Sequence, residues 1–169
     1  AFFVFQLMFA LVTPALICGA VAERMTLKSY MVFLTLWSLL VYIPVAHWVW
    51  GGGFLSQMGL ADFAGGTVVH MSAGFSALAA VLVIGGRKKR DYTPHNMVYV
   101  AIGAGLLWFG WFAFNGGSAL AANEIAAMTI TNSQISAGFG LMTWVIASWI
   151  QEKHPSVLSS MMGALAGLV

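Results

Sequence analysis

The sequence predicts a polytopic α-helical membrane protein, and three observations carry that prediction. Of the 169 residues, 60% are hydrophobic and only 7% charged, against roughly 25% charged residues in an ordinary soluble domain. With a mean hydropathy of +0.89, the chain lacks the polar surface to cover a water-exposed globule, so lipid is the solvent expected around most of it. The apolar residues also fall in continuous runs of about 20, the length a helix needs to cross a bilayer core. Barrel strands would instead alternate over about ten residues. Finally, the seven Lys and Arg residues fall only in every second loop.

The segments follow in order. Residues 1–22 form the first, with Pro14 inside it, and residues 30–50 the second, with Pro44 inside it; such prolines are tolerated when neighbours re-satisfy the freed backbone groups. Residues 63–86, 97–115 and 125–150 supply three more, and a sixth starts near Val157. Arg24 and Lys28 lie between segments one and two, Arg87, Lys88, Lys89 and Arg90 between three and four, and Lys153 between five and six. Loops 51–62 and 116–124 hold no Lys or Arg. Loops 23–29, 87–96 and 151–156 are therefore expected on the cytoplasmic side, and the other two outside. The Arg87–Arg90 cluster reads as a topogenic signal, and nothing suggests a nucleic-acid partner. Most of the seven tryptophans fall near segment ends, where aromatic belts are expected.

A single cysteine, Cys18, excludes a disulfide framework or a cysteine-rich metal site. Residue 1 is not Met, and the first run, Ala1 to Ala22, lacks the basic region of a signal peptide. Both ends lie inside apolar runs, so the chain is expected to be an internal piece of a longer membrane protein.

Ionisable or polar residues at membrane depth are costly and become functional candidates by default. His70 lies eight residues beyond Asp62, about 12 Å down its helix and close to the bilayer midplane. At about 100° per residue, Gly66, Ala73, Ala77 and Ala80 fall on its side, while Val68, Met71, Phe75, Leu78 and Leu82 cluster opposite, on the face expected to meet lipid or another helix. Two readings stay open for His70: interhelical packing glue or a pore-lining imidazole. Asp62, followed by Gly65 and Gly66, reads as the N-cap of that helix. Trp50, just before Gly51, Gly52 and Gly53, is an interfacial anchor or a cation–π platform. Ser118, after Phe114, Asn115, Gly116 and Gly117, is a cap or a hydroxyl pointing at a cation. Phe5 and Phe9 share one helix face, and Phe109, Phe112 and Phe114 crowd another helix end. Such rings are ordinary lipid-facing residues, or the walls of a hydrophobic constriction. His47, His95 and His154 receive no role.

The stretch DFAGGTVVHMSAGFSALAAVLVIGGR, Asp62 to Arg87, resembles the signature of the ammonium transporter family from end to end. The motifs AERMTLKSYMVF, YIPVAHWVWGGG and GWFAFNGGSALAANEIAA resemble the same family in the same order. The resemblance implies a fold of eleven helices in two inverted repeats, of which about five and a half would be present, assembled as a homotrimer with a pore in each subunit. By motif position it implies that Phe9 and Phe114 form a stacked gate and that Trp50 and Ser118, with Phe9, form an outer ammonium site. Asp62 would then be the structural aspartate beside that site, and His70 the first of two pore histidines. The second histidine would belong to a helix beyond this chain.

The function expected on this basis is transport, not enzymatic catalysis, and no cofactor is implied. Ammonium is nearly the size of potassium but carries four N–H donors and a transferable proton, so discrimination must use hydrogen bonding or deprotonation. Aromatic faces and a serine oxygen would recruit NH4+ (with methylammonium as analogue). Deprotonation would then let NH3 pass a hydrophobic, histidine-lined pore, because a full charge in a hydrocarbon-lined tube is costly. Two alternatives share the fold. A Rhesus-like neutral-gas channel is disfavoured by the pairing of Trp50 with Ser118, and an ammonium sensor would differ mainly in its tail. The resemblance further implies a multi-pass protein of the cell membrane and a cytoplasmic PII-type regulator at the inner mouth. A haem-binding membrane oxidoreductase would need two histidines at matched depth, and only His70 is so placed.

Overall fold

The computed structural model describes residues 1–88 and 93–169. Lys89 and Arg90 of the basic cluster therefore lie outside the described residues, as does Asp91. The chain is mostly helical, and four helical runs are long and apolar enough to cross a membrane: Phe2–Val21, Leu27–Gln57, Gly66–Ile84 and Met97–Gly116. The chain divides into two compact units, residues 1–91 and 92–169.

The first unit starts with α1 (Phe2–Ala15), a turn and α2 (Cys18–Val21). The break follows Pro14, as expected of a residue that cannot donate a backbone hydrogen bond. Thr13 is fully buried just before it, and its hydroxyl donates to the Phe9 carbonyl at 2.6 Å. The second run combines α3 (Leu27–Trp37), a π-helical turn (Ser38–Tyr42), α4 (Ile43–Trp50) and, after a glycine bend, the short α5 (Phe54–Gln57). It begins three residues before the expected residue 30, because Thr26 accepts a bond from the Ser29 amide and caps the helix there. The π turn also has a local cause. Pro44 offers no N–H to the carbonyl four residues back, and the bonding slips by one residue, so that the Ile43 amide reaches Ser38 O. The third run is a π turn (Gly66–Met71) continued by α6 (Ser72–Ile84).

Arginines tie the far ends of the first and third runs together. Arg24 donates to the Gly85 carbonyl at 2.7 Å, and Arg87 donates to the Gly19 carbonyl at 3.2 Å while lying 3.6 Å from the Glu23 carboxylate. Each guanidinium satisfies a carbonyl that a helix end leaves without an intrahelical partner. Two of the basic residues thus cross-link helices. Trp37 departs from the aromatic-belt expectation: it is buried, and its indole N–H donates to Ser76 Oγ at 2.8 Å, joining the second and third runs.

The second unit holds α7 (Met97–Trp111), a π turn (Phe112–Gly116), α8 (Glu124–Glu152) and α9 (Val157–Leu168). Asn96, Asn123 and Ser156 cap α7, α8 and α9 through their side chains. At 29 residues α8 is the longest helix, about 43 Å at 1.5 Å per residue. Thr129, Thr131, Asn132, Ser133 and Gln134 make it more polar than the four apolar runs. Gln134 accepts a bond from the Trp108 indole at 3.1 Å. Helices α8 and α9 pack backbone to backbone through small residues. A Cβ on Gly163 would overlap Trp144 and the Gly140 carbonyl, and one on Gly167 would overlap the Ser136 carbonyl. Gly163 and Gly167 form the small-xxx-small pattern that lets membrane helices approach closely when lipid offers no hydrophobic drive to associate.

Replacing Gly163 with Leu in the full-length protein therefore forces α8 and α9 apart. Thermal unfolding in detergent is expected to show a loss of at least about 1–3 kcal/mol, the usual cost of overpacking. An unchanged melting temperature would contradict this packing.

Candidate functional site

The site grows from Asp62, which precedes the third helical run. Its Oδ1 accepts from the Gly65 amide at 2.7 Å, and its Oδ2 accepts from the Thr67 and Val68 amides at 2.8 and 2.9 Å. The carboxylate thus satisfies three of the amides that a helix start leaves open, at the positive end of the helix dipole. This agrees with its expected role as a cap. The tight approach depends on Gly65, whose φ of +107° lies in the left-handed region and whose missing Cβ would meet the Val69 side chain and the Trp50 ring.

The backbone carbonyl of Asp62 has a second task. It accepts the indole N–H of Trp50 at 2.7 Å, which fixes the plane and direction of the Trp50 ring at the end of α4. Phe9 packs against that ring edge-to-face, with centroids 5.5 Å apart and planes at 85°. Phe5, one turn before Phe9, packs on Phe9 in the same manner at 4.8 Å. Phe9 is only 2% exposed. Phe9, Trp50 and Asp62 are therefore brought together within the first unit, joined by Phe5, which sequence reading linked to Phe9 only through shared helical phase. Aromatic rings in this arrangement are held by their quadrupoles as well as by burial.

His70 is half-buried, on the π turn that follows the cap. The Gly65 carbonyl accepts from both the Val69 amide at 2.8 Å and the His70 amide at 3.2 Å, so the spacing switches there from four residues to five. This separates the residues of one expected face. Val68 was placed by a regular helical wheel on the bulky face expected to meet lipid or another helix, and it is completely buried, unlike Met71, Phe75, Leu78 and Leu82 of the same face. The π turn changes the angular step between Gly66 and Met71, and a wheel of 100° per residue fails across it. Beyond the turn regular geometry resumes: Ala73 is buried and Ala77 and Ala80 half-buried, while Met71, Phe75, Leu78 and Leu82 are exposed.

Phe114 and Ser118 belong to the second unit, in and just after its π turn. The Ser118 hydroxyl donates to the Phe114 carbonyl at 2.7 Å. Phe114 stacks at a tilt on Trp111, with centroids 5.5 Å apart, and packs on a cluster of Trp111, Ala137 and Leu168. Asn115 between them escaped notice as a functional residue. Its amide donates to Ser133 Oγ at 2.9 Å and to the Leu168 carbonyl at 3.1 Å, tying the π turn to α8 and α9. A polar amide within an apolar run was the available signal. Among the described residues no three His, Cys, Asp or Glu side chains gather to hold a metal ion.

Asp62→Ala removes the cap and leaves the Gly65, Thr67 and Val68 amides without their partner. In the full-length protein this is expected to cost about 1–3 kcal/mol of stability by thermal unfolding. An unchanged unfolding temperature would contradict the capping role.

Comparison with known proteins identifies the lineage. The family model described as Ammonium Transporter Family matches residues 1–169, the whole chain. An ammonium transporter of Bacillus subtilis is 47% identical over 99% of this chain and 42% of its own length. One from Aquifex aeolicus is 49% identical over 98% of this chain and 39% of its own. Among solved structures, Candida albicans Mep2 superposes with a TM-score of 0.89 at 41% identity, covering 96% of this chain and 38% of that one. The chain thus spans about two fifths of these relatives, and its four apolar runs are those of a multi-pass membrane protein. On this evidence of sequence and shape together, the chain belongs to the ammonium transporter family.

Proposed function

We propose that the full-length protein carries ammonium nitrogen across the cell membrane. In this reading, which rests on the family resemblance, Trp50, Phe9 and Ser118 recruit NH4+, which loses its proton and passes as NH3 the gate residues Phe9 and Phe114 and then His70. One observation carries this reading. Both polar groups of the recruitment site have already spent their donors: the Trp50 N–H goes to the Asp62 carbonyl and the Ser118 O–H to the Phe114 carbonyl. What they can still offer is a π face and oxygen lone pairs, which attract a cation and accept N–H bonds but give an anion nothing.

The following steps rest on energetics. Asp62, the acid nearest in sequence, is held at the helix start by three amide bonds, so its carboxylate is fixed there and cannot accompany a cation inward. Moving a bare ammonium ion into an apolar passage costs far more than moving neutral ammonia, which favours separating the proton first. His70 then supplies a hydrogen-bonding imidazole at depth. By analogy with the family, the full protein is proposed to form a homotrimer, with α8 as a further crossing and a PII-type regulator at the cytoplasmic mouth.

The test is ammonium and methylammonium uptake, with current recording, in cells lacking their own carriers and expressing the full-length protein. Trp50→Leu is expected to raise the apparent KM about 2- to 30-fold, the equivalent of a lost cation–π contact of about 0.5–2 kcal/mol. His70→Ala is expected to abolish uptake or its selectivity over potassium. If both variants transport like the parent, the site assignment is wrong.

A further inference from the structure

The helix carrying His70 is held at two points, the first of which grips the opening residues of an irregular turn. At its start the Asp62 carboxylate grips the Gly65, Thr67 and Val68 amides. Ten residues beyond Gly66, the Ser76 hydroxyl accepts the Trp37 indole N–H at 2.8 Å from the neighbouring helical run. The π turn Gly66–Met71 begins within the Asp62 grip and ends five residues before Ser76. A π turn accommodates one more residue than an α turn, so its relaxation to α geometry would rotate one side of the helix against the other by about 100°. With both sides pinned, that rotation is blocked.

The side chain that follows the turn compensates the displaced bonding. In a regular helix the Ser72 amide would donate to the Val68 carbonyl. Here it donates instead to the Thr67 and Val69 carbonyls, and the Ser72 hydroxyl covers Val68 O at 2.5 Å. This matters in lipid, where a carbonyl left open costs several kcal/mol.

We propose that the Trp37–Ser76 hydrogen bond is a positioning contact for His70: together with the Asp62 cap it traps the π turn and so sets the direction in which the imidazole leaves the helix. Trp37 and Ser76 are positioning residues, acting through the helix. The contribution of this contact to transport rests on the proposed role of His70 in the pore, whereas its effect on the ring does not.

The test uses the full-length protein with nitrogen-15-labelled histidine in bilayers, the His70 ring signal being identified by its loss in His70→Ala. Ser76→Ala and Trp37→Phe are expected to shift that signal, and Ser76→Thr, which keeps the hydroxyl, to leave it in place. The same two variants should lower the maximal methylammonium uptake about 2- to 12-fold, the equivalent of one lost hydrogen bond, with little change in KM because the outer site is untouched. Gln134→Ala, which removes the Trp108 bond in the other unit, controls for general loosening. An unmoved His70 signal in both variants, or an equal shift in Gln134→Ala, would overturn the proposal. If His70→Ala transports normally while the ring still shifts in Ser76→Ala and Trp37→Phe, the positioning contact stands and the pore role of His70 falls.

Discussion

Asp62 anchors the geometry of the first unit. One side chain satisfies three amides at the start of the His70 helix, and the carbonyl of the same residue holds the Trp50 ring. The distance between the expected recruitment ring and the expected pore imidazole is thereby set by eight residues of a single chain segment rather than by helices free to slide. Gly65 makes the arrangement sterically possible, because a Cβ there would overlap the Val69 side chain and its φ of +107° is one that side chains rarely adopt. Phe9 completes it by packing its ring against the Trp50 ring that the carbonyl has already oriented.

A second constraint runs through both units. Lipid offers backbone groups no partners, so each irregularity has to be answered inside the protein. The three π turns show how. Near Pro44 the bonding slips by one residue. At His70 the Ser72 hydroxyl covers a displaced carbonyl. At Phe112–Gly116 the Ser118 hydroxyl donates to Phe114 O. Two of the three coincide with residues of the candidate site, in keeping with the general placement of such turns at functional positions. Side-chain donors are consumed in this repair, and the serine oxygens keep lone pairs that can still accept hydrogen bonds.

Much of the fold was legible because it depends on length and charge. Apolar runs of membrane length locate the four membrane-length helical runs, although the second extends through α5 to Gln57 instead of ending near residue 50, and the expected fifth run, α8, is helical but too polar to stand with them. The Asp62 cap was legible too, from residue type and position. The π turns were not, since they arise from competition among neighbouring hydrogen bonds that periodicity ignores, and the burial of Val68 apart from the other bulky residues of its expected face was not foreseen. Contacts distant in sequence, such as Trp37 with Ser76 or Arg24 with Gly85, leave no local pattern. For the site, the sequence offered residue types and a family resemblance, and the coordinates added which donors are already engaged.

The central claim is that the outer site prefers a cation bearing N–H donors over a bare cation of similar size. It is tested most directly by competition against radiolabelled methylammonium uptake by the full-length protein, comparing ammonium with potassium. Inhibition by ammonium at concentrations where potassium has no effect is the predicted result, since only ammonium can donate to the lone pairs left on Ser118. Equal inhibition by the two ions would contradict the account.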